Sequence, residues 1–175
     1  HGKHPRREER NHQHQRQEDG QAAGLCPEGN RRRRQPARIP PAEEVTAGID
    51  LRGRTALITG ANSGLGYEAM RVLAMRGAHV LCAARTLEKA AAACAGIQGR
   101  TTPVAIELTD FPSIVVGTDA VRAMGMPIDM LILNAGIMAL PELEQVNGLE
   151  KQFVTNHLGH FIVGNRLLPQ VQAAA

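Results

Sequence analysis

The stretch TALITGANSGLG, residues 55–66, constrains the fold more than any other part of the chain. An apolar run ends at Thr59, and glycines follow at 60, 64 and 66. Apolar residues then fall at 65, 69, 72, 73 and 75, a helical stripe that stops before Gly77. A strand that passes through a glycine-rich turn straight into a helix opens a βαβ unit. The alternation continues down the chain. Ala78–Ala84 is predicted as a second strand and Leu87–Ile97 as a second helix. Val104–Leu108 and Ile128–Leu133 are predicted as the third and fourth strands. Asp110 is placed to cap the helix between them, with Pro112 in its first turn. A last helical pattern runs from about Leu149 to Gln172 and carries FVTNHLGHF.

The strands are apolar runs rather than apolar/polar alternations, as expected when helices cover both faces of a sheet. Strand and helix alternating at this spacing imply crossover connections and parallel pairing. The fold class is therefore α/β: a Rossmann-type, doubly wound parallel sheet in three αβα layers, with its C-terminal strands missing. One Tyr, three Phe and no Trp leave Ala, Leu, Ile, Val and Met to build the core.

The net charge of +3 is a property of one end. Residues 1–46 hold ten Lys/Arg against seven Asp/Glu, which leaves ten against ten for residues 47–175. Residues 1–46 are expected to be a disordered basic and polar tail, and residues 47–175 the nucleotide-binding domain. The tail is poor in apolar side chains and shows no periodicity, so it cannot offset its ordering entropy. Its histidines (1, 4, 12 and 14) are irregularly placed, and no metal site is expected. Arg31–Arg34 is the only feature that suggests nucleic acid, and no nucleic-acid partner is expected. Cys26, Cys82 and Cys94 are odd in number and form no C-x-x-C pair, so free thiols in the cytoplasm are expected. No apolar run approaches the roughly 18 residues of a membrane span. The sequence begins at His1 rather than Met, which suits a processed chain or a fragment.

The glycines point to a ligand that comes close to backbone. The N-terminus of a helix offers free N–H groups and the positive end of a dipole, which together suit a phosphate. Gly60 permits the tight turn, Gly64 lets a phosphate approach, and Gly66 lets the helix pack on the strand. The spacing is G-x-x-x-G-x-G. At the end of the second strand, VLCAART places Arg85 after Ala84, where an NAD site carries an Asp or Glu for the ribose 2′-hydroxyl. A guanidinium there suits a 2′-phosphate, so NADP is expected, with NAD as the other candidate. Asn134-Ala135-Gly136 ends the fourth strand at the crevice, a small turn with room for ribose and nicotinamide. Asn156 lies inside a helical pattern, where Asn is a poor former and needs a partner or a task. His157 and His160 are read as structural helix residues.

TGANSGLG, LILNAGIM and FVTNHLGHF together resemble the short-chain dehydrogenase/reductase family, in particular its retinol dehydrogenase and WW-domain oxidoreductase subgroup. The resemblance covers roughly residues 50–172. It implies that Thr59, Gly60, Asn62, Ser63, Gly64, Leu65 and Gly66 hold the cofactor. Asn134, Ala135 and Gly136 match the family's N-N-A-G motif, with Leu133 in place of its first Asn. ELTD resembles the segment that frames the adenine, with Glu107 in place of an Asp and Leu108 offering backbone. Asn156 falls on the family's catalytic Asn, which bends its helix and holds a water for proton relay.

The family reaction moves a hydride between nicotinamide and an alcohol or carbonyl carbon, with a Tyr-x-x-x-Lys pair and a Ser. The resemblance places all three beyond Ala175. Tyr67, the only tyrosine, is followed four residues on by Arg71 and falls beside the glycine loop. The chain is thus expected to be the cofactor-binding part of such an enzyme, inactive alone, and a homo-oligomer when complete. The alternative is a non-catalytic dinucleotide-binding or interaction module.

Overall fold

The computed structural model describes residues 40–175. A one-turn helix α1 (Ala42–Val45) leads to β1 (Thr55–Thr59), α2 (Gly64–Met75), β2 (His79–Ala84) and α3 (Leu87–Ala95). There follow β3 (Thr101–Ala105), α4 (Phe111–Ala123), β4 (Met130–Ile132) and a small hairpin of β5 (Gln145–Val146) and β6 (Leu149–Glu150). The chain closes with α5 (Lys151–Phe153), a π-helical stretch Val154–Gly159, and α6 (His160–Gln172).

The main sheet has the order β3-β2-β1-β4, and every pairing in it is parallel. Ile58 is registered with Cys82 on one side and Ile132 on the other. The chain steps outward from β1 to β2 and β3, then returns to lay β4 on the opposite side. The strand order therefore reverses at β1, which puts the ligand crevice at the carboxyl ends of β1 and β4. At the other end of these strands Asp129 accepts from Thr55 N at 2.8 Å and pairs with Arg54, which holds its carboxyl below the usual carboxylate range.

Side chains of β1 and β2 alternate between two cores. Ala56, Ile58, Val80 and Cys82 pack with Met70, Ala74, Ala90 and Ala93 of α2 and α3. Leu57, Leu81 and Ala83 pack with Ile114 and Val121 of α4 and Val163 and Leu167 of α6. This is the expected three-layer αβα arrangement, and it explains why β1 and β2 are buried along their whole length. Cys82 and Cys94 are free thiols, and burial pushes that of Cys82 up to about 12.

Several boundaries differ from expectation. β3 begins at Thr101 rather than Val104, because Pro103 is tolerated there. β3 is an edge strand, and the ladder runs through the alternate residues, as in Ile106 N to Ala84 O at 2.8 Å. β4 ends at Ile132, so Leu133 lies beyond it and is 42% exposed. Asp110 stands at the N-cap of α4, but its side chain makes no cap bond; Ser113 instead accepts from Glu107 N at 3.0 Å.

Within the span expected as a tail, residues 40–46 are described and include α1. Arg76 donates to Glu43 O at 2.6 Å and to Thr46 Oγ1 at 3.1 Å, and Arg71 pairs with Glu43 at 2.6 Å. Arg71 of α2 and Arg76 just after it thus hold the helical Ala-Glu-Glu-Val turn. The rest of the expected tail, with Cys26 and Arg31–Arg34, lies outside the described residues.

Candidate functional site

The site is built outward from Thr59, the last residue of β1. Its carbonyl accepts from Asn134 Nδ2 and its hydroxyl from Ala135 N, both at 3.0 Å. These two bonds tie the Asn134–Gly136 turn to the start of the glycine loop. Gly60 follows with φ +68°, and a Cβ there would stand 2.9 Å from Ala135 Cα. Both the backbone conformation and the close approach require glycine. A Cβ on Gly66 would collide with Gly60 O and Asn134 Nδ2, so Gly66 lets α2 pack directly on the strand end. Gly64, with φ +57°, opens onto free space. Ser63 caps α2 by position and makes no side-chain cap bond. The helix start is therefore bare backbone facing an open volume, a cradle suited to a phosphate.

That volume is a cavity of about 650 Å³. Of the residues expected from the sequence, Thr59, Gly60, Asn62, Ser63, Leu65, Arg85, Glu107, Leu108, Asn134, Ala135 and Gly136 line it. Gly64, Gly66 and Asn156 are not in its lining; the two glycines shape the turn behind it, and Asn156 stands behind the Gly136–Ile137 wall. Ala84, Ile106, Thr109, Ile137, Lys151 and Thr155 also line it without having been expected to, although Thr109, Ile137 and Thr155 fall within ELTD, LILNAGIM and FVTNHLGHF.

Arg85 is exposed at the cavity wall directly after β2. Glu107 is the one acidic residue in the lining. Its carboxylate accepts from Thr109 N at 3.1 Å and Thr109 Oγ1 at 2.9 Å, so it is engaged in its own turn. Lys151 pairs with Glu144 at 2.6 Å. Tyr67 packs in the α2/α3 core with its hydroxyl over Gly96, where a Cβ would stand 2.9 Å from it. It does not line the cavity.

Asn156 sits in the π-helical stretch, a register frequent at functional positions. Its amide clamps one residue: Oδ1 accepts from Ile137 N at 2.9 Å and Nδ2 donates to Ile137 O at 2.8 Å. Gly136 leaves room for this, since a Cβ there would come within 3.4 Å of Asn156 Oδ1. His160 is buried, with Nε2 2.9 Å from Thr59 Oγ1 and Nδ1 3.1 Å from Asn156 O. Burial holds its imidazole below the usual range, and the Asn156 carbonyl opposes that shift. His157 stacks between Phe153 and Phe161 at 5.2 and 6.5 Å. Among the described residues no group of three or more His, Cys, Asp or Glu is placed to hold a metal.

Residues 54–175 match the family model described as short chain dehydrogenase. The chain belongs to the short-chain dehydrogenase family. Short-chain dehydrogenase TIC 32 B, chloroplastic, of Brassica napus is 40% identical over 139 residues, 77% of this chain and 43% of that protein. The WW domain-containing oxidoreductase of Drosophila melanogaster is 42% identical over 127 residues, 69% of this chain and 31% of that protein. This short-chain dehydrogenase chain therefore spans less than half the length of these curated relatives. Among solved structures, a 3-ketoacyl-(acyl-carrier-protein) reductase from Brucella melitensis complexed with NADH is similar at TM-score 0.62 and 26% identity, over 71% of this chain and 52% of that one. A metagenomic short-chain oxidoreductase in complex with NADP is similar at TM-score 0.57 and 27% identity, over 71% and 59%. Those two structures hold NADH and NADP, and the bare helix start, the open space at Gly64 and the lining from Arg85 to Ile137 fit a group of that class.

Proposed function

We propose that this chain is the N-terminal, cofactor-binding part of an NADP-dependent oxidoreductase that moves a hydride between nicotinamide and an alcohol or carbonyl carbon. The observation that carries the reading is Arg85 at the cavity wall, with the only acidic lining residue turned into a bond with Thr109. A 2′-phosphate gains a guanidinium there, directly after β2, where an NAD site carries an Asp or Glu. The bare N-terminus of α2 takes the pyrophosphate between Gly60 and Gly66. Leu108 offers backbone to the adenine, and Asn134–Gly136 with Asn156 form the nicotinamide side. When bound, the dinucleotide supplies the hydride acceptor or donor. Asn156 holds the wall at Ile137 and, in the complete enzyme, a water of the proton relay.

The 175 residues contain no second tyrosine, and Tyr67 packs away from the cavity. The chain alone is therefore proposed to bind cofactor without turning over a substrate. The same observation favours the second reading, a non-catalytic dinucleotide-binding module. The unpaired Cys82 and Cys94 support a reducing compartment, and the cytoplasm is proposed. No helix among the described residues is long and apolar enough to cross a membrane.

The test is a fluorescence titration of the 175-residue chain with NADPH and with NADH. NADPH is expected to bind about tenfold tighter, and Arg85→Ala to remove that preference, since a charged hydrogen bond contributes about 1.5–3 kcal/mol. Equal binding of both cofactors, or a preference that survives in R85A, rejects the NADP assignment.

A further inference from the structure

His160 lies outside the lining of the cavity, yet it joins two pieces of the cavity wall. The ring is 6% exposed. The Thr59 hydroxyl already accepts the Ala135 N–H at 3.0 Å, so its own proton is free to point at the ring. At the other nitrogen stands the Asn156 carbonyl, which can only accept. The Asn156 carbonyl calls for a proton on Nδ1, and in the neutral ring that leaves Nε2 to accept from Thr59. In that state both ring nitrogens are bonded.

The bonds form a closed path. Thr59 holds Ala135, Asn156 holds Ile137 with two bonds, and His160 holds Thr59 to Asn156. Ala135 and Ile137 line the cavity on the side away from Arg85, and no bond of the path reaches Arg85. We propose that His160 is a positioning residue for the nicotinamide half of the cofactor site. It acts through Thr59 and Asn156, fixing the Ala135–Ile137 wall and the Asn156 amide, and does not touch the ligand. The proposal rests on the dinucleotide reading above.

The experiment uses the 175-residue chain, two probes and the histidine NMR signals. NADPH reports the whole site, and adenosine 2′,5′-bisphosphate reports the adenosine half alone. His160→Phe keeps a ring and removes both bonds; His160→Gln keeps one polar contact within reach of Thr59. Wild type is expected to show the Nδ1–H tautomer. H160F is expected to weaken NADPH binding about tenfold, the order of one lost buried hydrogen bond, while the bisphosphate binds within about twofold of wild type. H160Q is expected to recover part of the NADPH loss, and the Ile137 amide signal to move in H160F. Unchanged NADPH affinity in H160F, equal losses for both probes, or an Nε2–H tautomer in wild type overturns the proposal. If H160F does not fold, H160Q against wild type gives the same decision, with a smaller loss confined to NADPH. A wild-type chain that binds neither probe overturns the dinucleotide reading itself, and this proposal with it.

Discussion

At Gly66 and Gly64 the same residue type answers two different demands. A methyl at Gly66 meets backbone and an amide that cannot move away; a methyl at Gly64 meets nothing, but the backbone is left-handed. Gly66→Ala is expected to destabilise the fold by about 1–3 kcal/mol through overpacking. Gly64→Ala is expected to cost roughly 1 kcal/mol from its φ alone. Denaturant unfolding of the two variants checks the order, and a Gly64→Ala loss larger than that of Gly66→Ala contradicts it. The glycines, Arg85 and the Asn134–Gly136 turn could be picked out because each stands in a short motif of its own, although the bond of Asn134 to Thr59 spans 75 residues. His160 was not, because the partner that gives it a task lies 101 residues earlier in the chain. A histidine in a helix shows only its helix until the fold brings Thr59 to it. Its protonation is also testable. Burial holds both His160 and His79 below the usual histidine range. The folded state therefore favours the neutral rings, while the unfolded chain takes up protons near the ordinary imidazole value of 6.5. Stability is expected to be full above pH 6.5 and to fall as pH drops below it. Urea melts at pH 7.5 and 5.5 read this, and H160Q is expected to flatten part of the slope.

Among the elements, the long C-terminal helix shows where periodicity stops being informative. Its apolar spacing marks one helix from about Leu149 to Gln172; Leu149 and Glu150 instead pair as β6, and helix runs from Lys151 to Gln172. The π-helical stretch inside it has no distinct spacing signal, because six residues shift the register without changing which face is apolar. The misfit of Asn156 to a helix interior was the visible trace. What that residue does, clamping Ile137, depends on a loop nineteen residues away. Likewise, the strand at Thr101–Ala105 could not be placed from its own composition, since only its position at the sheet edge makes Pro103 acceptable. The clamp has a direct consequence for local motion. In Asn156→Ala the Ile137 N–H loses its acceptor on an exposed wall, and about 0.5–1.5 kcal/mol of local stability goes with it. Amide exchange at Ile137 is expected to speed up several-fold while exchange in β1 and β2 stays as in wild type. Acceleration spread evenly over the sheet would show that Asn156 supports the whole fold rather than the wall.

For the whole molecule the decisive feature is asymmetry between the two edges of the sheet. β3 is an edge that carries Pro103 and is followed by a turn that Glu107 and Ser113 close. β4 is an edge of three residues paired only with β1 among the described strands. Beside it runs a groove in which Leu133, Phe161 and Leu168, 42, 61 and 47% exposed, stand with Asn156, His157, His160 and Asn165. An open strand edge next to exposed apolar side chains favours pairing with another chain. Residues 47–175 balance ten cations with ten anions, so that part of the chain offers little net repulsion against it. The 175-residue chain is therefore expected to associate as its concentration rises, and sedimentation velocity reads this directly. Leu133→Lys with Phe161→Lys puts two like charges into the groove and touches neither the cavity lining nor the two cores. The double variant is expected to remain a monomer at concentrations where wild type does not, and to bind NADPH with wild-type affinity. Association that persists in the double variant places the contact on another face, and loss of NADPH binding would mean that the groove and the cavity are not independent.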